Sequence, residues 1–340
     1  MPPLVTYFYR VYGLTLASNS VVPGLPREDA QFEHPDIVLS FGSEPDWVRE
    51  ATSLPRRIDH PRPQGPERGD SGFTLTSFGA GEFFQLAYAD GTRFVVDRAA
   101  TRLWGTCPPS LTIEDLVTYL LGPIMGFVLR RRGILSLHAS AVCIAAQAVV
   151  LCGESAAGKS TTAAALACAG VPVLAEDISP IRGENDTLYV EPGYPRVCLW
   201  PDAVEKLFGA PEALPQLTPT WEKRFLPLDG IRARFEPERR PLGAIYLLAP
   251  RTAEAPRIEN LGKREALLQL VQNTYMNWLL DRTQRAAELD ALARIVERIP
   301  VRSIVPHSDP ARVGALSDFI IKDAERLLGE QALAGAGSGR

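Results

Sequence analysis

Eight consecutive residues carry the most specific chemical pattern in the sequence. Residues 153–160 read Gly-Glu-Ser-Ala-Ala-Gly-Lys-Ser, which fits the Walker A pattern G-x-x-x-x-G-K-[ST] at every fixed position. The flanking residues predict a buried strand over 148–152 and a helix that begins at Lys159 and ends before Gly170. A strand, a glycine-bounded loop and a helix in this order can bind phosphate groups through backbone N–H groups and the helix N-terminus.

The residue types in this motif predict how a nucleoside triphosphate is held. Lys159 is expected to reach the β- and γ-phosphates, Ser160 to ligate Mg²⁺, and Thr161 to approach the α-phosphate. The cofactors expected on this basis are ATP and Mg²⁺. The predicted ATP-binding residues are Gly153, Glu154, Ser155, Ala156, Ala157, Gly158, Lys159, Ser160 and Thr161.

Two adjacent carboxylates follow the next apolar segment. Residues 171–175 predict a short buried strand that ends in Glu176 and Asp177. We expect this strand to lie beside the strand that precedes the glycine motif, with the carboxylates at the same end of the sheet. Asp177 is the metal ligand predicted beside Ser160, and one carboxylate of the pair is expected to accept a hydroxyl proton. Which of the two is the base stays open, and the alternative is a solvated strand end.

A histidine precedes the glycine motif. His138 lies in the apolar segment LHASAV. A lone histidine among apolar residues is more often a core residue than a functional one. The residue types alone therefore leave a structural and a functional role open for His138.

Length and composition describe an ordinary globular chain. Its 340 residues exceed the length of roughly 250 at which single cores stop growing, so two domains are expected. The 36 basic and 40 acidic residues give a net charge of -4, which argues against a general nucleic-acid binder. The five cysteines show no metal-ligand spacing. No apolar run reaches roughly 18 residues and no signal peptide is evident, so we expect a cytoplasmic protein without a membrane partner.

The first hundred residues alternate apolar and polar positions, a period that is typical of strands. The alternation is clearest over 5–42 and 82–104, and the second stretch contains Asp90-Gly91, a strong hairpin signal. Residues 54–72 are rich in Pro, Arg, Asp and Gly, which favours an exposed loop. The pattern predicts a β-rich N-terminal domain.

The periodicity changes after residue 110. Thr112 and Asp115 predict the N-cap of an amphipathic helix with a kink at Gly122-Pro123. Beyond this helix, short apolar runs alternate with helical stretches, as in an α/β layer arrangement. The predicted organisation is a β-rich N-terminal domain over 1–110, a connecting helix over 111–132, an α/β catalytic domain over 133–328 and a flexible tail over 329–340.

The order of these motifs resembles the catalytic domain of HPr serine kinase/phosphorylase. LHASAV, a strand, GESAAGKST, a helix and a strand ending in Glu-Asp follow one another as they do in that family. The resemblance implies a P-loop kinase domain of the HPr-kinase type, with the catalytic residues His138, Lys159, Glu176 and Asp177. The family pair usually consists of two aspartates, so Glu176 is a departure. The glycine-rich signature of bifunctional members has no counterpart here, so neither phosphorylase activity nor HPr as substrate is carried over.

Four further segments resemble one particular group of HPr-kinase-related proteins. YRVYGLTLASN, PGYPRVCLWPDA, WEKRFLPL and GAIYLLAP are similar to HPr-kinase-related proteins encoded with peptide-tailoring enzymes. Some of those proteins phosphorylate the C-terminal serine of a lasso-peptide precursor, which implies a peptide or protein substrate. Lys223 and Arg224 are candidates for contacting the phosphate or an acidic peptide terminus, with a solvated turn as the alternative. Glu191 is a candidate metal-side carboxylate by its position after the acidic pair.

Two rival functions use the same motif. A small-metabolite kinase would share every catalytic residue. A nucleotide-switched regulatory ATPase would need a water-positioning glutamine or an arginine finger, and neither is evident in the sequence. The expected partner is a peptide or protein rather than nucleic acid or a membrane, and a homo-oligomer is left open.

Overall fold

The chain forms two compact units. The computed structural model describes residues 6–60, 72–309 and 312–337. The first unit comprises Met1–Arg132 and Thr218–Trp221, and the second comprises Gly133–Leu217 and Glu222–Arg340. The helical segment 111–132, predicted as a connection, is part of the first unit. The four residues Thr218–Trp221, which the sequence places in the catalytic domain, also belong to the first unit.

One eight-stranded sheet dominates the first unit. Its strand order is β1-β2-β3-β8-β7-β6-β5-β4, and all neighbours are antiparallel except β2 with β3 and β3 with β8. The predicted hairpin at Asp90-Gly91 is confirmed by the pairing of β6 with β7. The strands are β1 (Tyr7–Val11), β2 (Leu14–Ser18), β3 (Ile37–Phe41), β4 (Arg56–His60), β5 (Phe73–Phe78), β6 (Phe83–Tyr88), β7 (Arg93–Asp97) and β8 (Arg102–Thr106).

The loop predicted over 54–72 is wrong in its first part. Strand β4 occupies Arg56–His60 and pairs with β5. The strand lacks the apolar alternation that predicts strands, because it lies at the edge of the sheet and four of its five residues are exposed to solvent. Residues 61–71 lie outside the described residues.

The helices of the first unit follow the predicted signals. The capping box is confirmed, since Thr112 caps α2 and the Asp115 side chain accepts the Thr112 backbone N–H. The predicted kink is also confirmed, because a π-helical turn with non-helical dihedrals at Gly122 separates α2 from α3. The Thr220 hydroxyl donates to Asp115, which attaches the 218–221 segment to α2. The helices are α1 (Asp46–Ser53), α2 (Ile113–Tyr119) and α3 (Met125–Arg131).

A nine-stranded sheet forms the centre of the second unit. Parallel strands β11, β17 and β19 lie side by side, and antiparallel strands extend the sheet around them. The strands are β9 (Leu135–His138), β10 (Ser140–Ile144), β11 (Gln147–Gly153), β12 (Val173–Ala175), β13 (Ile178–Glu184), β14 (Thr187–Val190), β15 (Arg196–Leu199), β16 (Arg224–Pro227), β17 (Arg240–Leu248), β18 (Arg257–Asn260) and β19 (Val301–Val305), of which β15 and β16 form a separate two-stranded antiparallel sheet.

Helices cover both faces of this sheet. Val149 and Leu151 of β11 pack with α4 and α8, whereas Val150 and Cys152 point to the opposite face and pack with α6 and α7. The alternation explains why β11 reads as a continuous apolar run, because both of its faces are buried. The helices are α4 (Lys159–Cys168), α5 (Pro201–Phe208), α6 (Lys263–Gln272), α7 (Arg282–Arg298) and α8 (Val313–Gly337), with a 3₁₀ turn at Asn277–Leu279.

Two details of the second unit differ from the sequence predictions. Strand β12, which precedes the acidic pair, does not adjoin β11, because β10 lies between them and pairs antiparallel with both. The two strands therefore still run parallel, and their carboxyl ends lie at the same edge of the sheet. Helix α8 continues to Gly337, through most of the tail predicted to be flexible over 329–340.

None of the described helices has the length and apolar character needed to cross a membrane.

Candidate functional site

Residues 153–160, the glycine loop, connect β11 to α4. Gly153 has φ +152°, and a Cβ there would lie 3.1 Å from both the Ala157 Cβ and the Leu248 carbonyl oxygen. Gly158 has φ +102°, a conformation that side-chain-bearing residues rarely adopt. The two fixed glycines of the motif therefore stand where the backbone needs them.

The N-terminus of α4 opens onto this loop. Gly158 is its N-cap residue, and as a glycine it has no side chain that could cap the first backbone N–H groups. Lys159 is 7% exposed, and its Nζ donates to the carbonyl oxygens of Gly153 at 2.8 Å and Glu154 at 3.0 Å. Burial lowers the pKa of Lys159 from its ordinary value. A helix N-terminus beside a buried ammonium group is an arrangement that attracts anions.

Glu176 contacts the first turn of α4. The Ser160 hydroxyl donates to Glu176 Oε1 at 2.7 Å, and Glu176 is only 5% exposed. Burial, followed by the neighbouring charge of Asp177, raises the pKa of Glu176 to about 7. The backbone N–H of Cys198 also donates to this carboxyl group. Sequence reasoning paired Ser160 with Asp177, whereas the structure places Glu176 against it.

Asp177 faces His138 instead. A tight turn joins β12 to β13, in which the Ile178 N–H donates to the Glu176 carbonyl at 2.8 Å and Asp177 has φ +65°. This turn directs the two adjacent carboxylates to different neighbours. Asp177 Oδ1 lies 3.3 Å from His138 Nδ1, and both side chains are about one-third exposed.

His138 is held in place by pairing of the strand that carries it. It lies opposite Ile178 in the register of β9 with β13, which brings its ring beside Asp177. Burial lowers the pKa of His138, the negative charge of Asp177 opposes this, and the positive charge of Lys159 acts in the same direction as burial. His138, Lys159, Glu176 and Asp177 therefore lie close enough together for the charges of neighbouring members to shift the pKa values of His138, Lys159 and Glu176.

Asn273 is a site residue that sequence reasoning missed. Its Oδ1 accepts the buried N–H of Gly153 at 2.9 Å, and its carbonyl oxygen accepts the His138 N–H at 2.7 Å. Its side-chain amide donates to the Gln269 carbonyl at 2.8 Å, which fixes its orientation. Asn273 therefore joins the start of the glycine loop to His138. The local sequence signal is an asparagine at the end of a helix, which indicates a C-cap. It does not predict a contact with Gly153, which lies 120 residues away in the chain.

Lys223 is the candidate contact residue that lies near the acidic pair. Burial is the main cause of the pKa shifts of Glu176 and His138. The positive charge of Lys223 is close enough to both groups to lower the pKa of each. The Nζ of Lys223 lies 4.9 Å from the ring centroid of the partly exposed Trp200.

Arg224 and Glu191 are not brought to the acidic pair by any contact among the described residues. Arg224 lies opposite Leu199 in the two-stranded sheet of β15 and β16, and its Nε is buried without a hydrogen-bond partner in the described part of the chain. Glu191 is buried 3.8 Å from Arg182 Nε, and burial raises its pKa. Its charged neighbours are Arg182, Arg239 and Glu184.

The oxygen atoms at the site fit a hard divalent cation. The Ser160 hydroxyl and the Glu176 carboxyl group lie 2.7 Å apart, and Mg²⁺ prefers such ligands. Across the described ranges, no group of three or more His, Cys, Asp or Glu side chains could hold a metal ion. A site made by one hydroxyl and one carboxylate suits Mg²⁺, which usually keeps several waters and binds through one or two carboxylates plus substrate phosphates.

No protein-family model and no curated protein matches the chain. Among solved structures, the chain is similar to the HPr(Ser) kinase/phosphatase from Coxiella burnetii, with 16% sequence identity, a TM-score of 0.33, and coverage of 60% of this chain and 98% of that one. A likeness at this TM-score carries no weight for fold or activity.

Proposed function

We propose that the protein is a Mg-ATP-dependent kinase that transfers the γ-phosphoryl group to a serine hydroxyl of a peptide or protein. One observation carries the proposal: the Ser160 hydroxyl, at the start of the helix that follows the glycine loop, donates to the buried Glu176 at 2.7 Å. This contact joins the phosphate-binding motif to a carboxylate that lies 16 residues further along the chain.

The two carboxylates have different roles in this proposal. Glu176 and Ser160 would hold Mg²⁺, and the bound ion would neutralise charge on the phosphates. Asp177 is about one-third exposed and can meet an incoming hydroxyl, so it is our candidate for the base that accepts the hydroxyl proton. His138 orients Asp177 through the 3.3 Å contact. This division assigns the base to Asp177 in our proposal, a choice that the sequence left open.

Lys159 supplies positive charge to the transferring group. Its ammonium group is buried within the glycine loop, where electrostatic interactions are stronger than in water. Lys223, whose charge acts on Glu176 and His138, would face the acceptor in this proposal. A positive group there favours a phosphate or an acidic peptide terminus.

The choice of a peptide acceptor rests on the sequence resemblance. The HPr-kinase-type order of motifs supports a protein serine kinase, and the four narrower segments support a lasso-peptide precursor with a C-terminal serine.

The test incubates the full-length protein with Mg²⁺ and γ-labelled ATP. The acceptors are acidic peptides that end in serine, the same peptides ending in alanine, and a panel of hydroxyl-bearing metabolites. We expect label only on the serine-terminated peptides, its loss in Lys159→Ala, and its retention in the matched control Lys322→Ala, which changes an exposed lysine. Label on a metabolite alone would replace the peptide assignment. Phosphate release without any labelled acceptor would favour the regulatory ATPase.

A further inference from the structure

A pocket in the second unit begins at the first turns of α4. One wall consists of Ala157 from the glycine loop and Thr161 from α4. Ala203 on α5 faces them, Arg251 lies in the loop after β17, and Arg312 lies just before α8. None of the proposed catalytic residues lines this pocket.

Backbone hydrogen bonds fix the far side of the pocket. The loops after β17 and β19 are joined by bonds from the Thr252 N–H to the Pro306 carbonyl at 3.0 Å and from the Ser308 N–H to the Thr252 carbonyl at 2.6 Å. His307, which lines the pocket between them, accepts the Asp309 N–H at Nδ1 with a distance of 2.8 Å. The ring of His307 is thereby oriented, and in the neutral state its proton is on Nε2.

The pocket is continuous with the glycine loop. A guanidinium nitrogen of Arg251 lies 2.7 Å from where a Cβ would stand on Gly158. Arg251 therefore covers the side of the loop next to the N-terminus of α4. The two arginines and Lys206 give the pocket three positive side chains, against the single carboxylate of Asp309.

We propose that this pocket binds the nucleoside end of the nucleotide, an inference that rests on the proposed function. The γ-phosphate must lie toward Glu176 and Asp177 for transfer, and Thr161 is placed for the α-phosphate. The sugar and base then continue past Thr161, which lines the pocket. Guanidinium groups stack on aromatic rings and donate to ring nitrogens, and Ala157 and Ala203 supply apolar wall.

The test compares Mg-ATP with Mg-tripolyphosphate, which has the same chain of phosphates and no nucleoside. Calorimetric titration of the full-length wild type should give at least about tenfold tighter binding for Mg-ATP. Ala203→Phe puts a ring into the pocket and should remove most of that preference while leaving tripolyphosphate affinity unchanged. Ala287→Phe, on an exposed position of α7, is the matched control and should change neither affinity.

A second pair of variants tests the contribution of a positive side chain that lines the pocket. Arg312→Ala should weaken Mg-ATP binding several-fold without affecting tripolyphosphate, whereas Arg294→Ala, an exposed arginine of α7, should have no effect. Retained tripolyphosphate binding shows that each variant is folded, because a misfolded variant would lose both ligands.

The possible results separate this inference from the proposed function. Wild-type protein that binds neither ligand overturns both. Equal affinity of the wild type for the two ligands, or an Ala203→Phe variant that keeps the full preference for Mg-ATP, overturns the pocket assignment and leaves the kinase proposal standing.

Discussion

Replacing Glu176 by Gln should stabilise the protein at alkaline pH. The carboxyl group is 5% exposed, and its pKa rises from 4.5 to about 7 on folding because burial and Asp177 disfavour its charged form. Between pH 4.5 and 7 the folded state therefore binds more protons than the unfolded state, and stability falls as pH rises. A difference of about 2.5 pKa units corresponds to a penalty on the order of 3 kcal/mol above pH 7. Glutamine removes this penalty and keeps an oxygen for the Ser160 hydroxyl.

The assay is urea unfolding of the wild type and Glu176→Gln from pH 5 to 8.5, with EDTA and without nucleotide. The variant should exceed the wild type by about 3 kcal/mol at pH 8.5, and the two should converge as the pH approaches 4.5. His138 contributes the opposite slope, since its lowered pKa causes stability to fall at pH values below its unfolded value of 6.5. Both proteins contain His138, so the difference between them isolates Glu176. Parallel curves across this range would refute the reasoning.

Three other substitutions test the roles assigned to individual residues. Asp177→Asn should reduce phosphoryl transfer by about 10² to 10⁴ while Mg-ATP affinity changes little, and normal turnover would place the base elsewhere. Asn273→Ala leaves the buried N–H of Gly153 without its acceptor and should cost about 1–3 kcal/mol of unfolding free energy in urea unfolding, so unchanged stability would contradict this explanation. Gly153→Ala forces a side chain into the 3.1 Å contacts at φ +152° and should weaken Mg-ATP binding at least about tenfold in calorimetry, whereas unchanged affinity would show that the loop does not need this conformation.

Local patterns in the sequence predicted the elements around the site correctly. The strand, glycine loop and helix around Lys159, the Thr112 capping box and the Asp90-Gly91 hairpin are all present. Each depends on residues within one turn or one hairpin, so short stretches of sequence contain the relevant physical information.

Tertiary arrangements were beyond the reach of these patterns. The insertion of β10 between β11 and β12 depends on strand pairing, and apolar periodicity does not specify which buried strands become neighbours. The contact of Asn273 with Gly153 spans 120 residues. The choice of Glu176 rather than Asp177 as the neighbour of Ser160 follows from the tight turn at Asp177. No local preference distinguishes these adjacent carboxylates in advance.

Calorimetric titration of ATP, with Mg²⁺ and with EDTA, into wild type and Ser160→Ala tests the central claim most directly. The claim is that residues 153–160 and Glu176 form one site for a metal-bound nucleotide. Wild type should bind ATP at least about tenfold more tightly with Mg²⁺ than with EDTA, and Ser160→Ala should lose that metal dependence. Absence of ATP binding by the wild type in the presence of Mg²⁺ would contradict the claim.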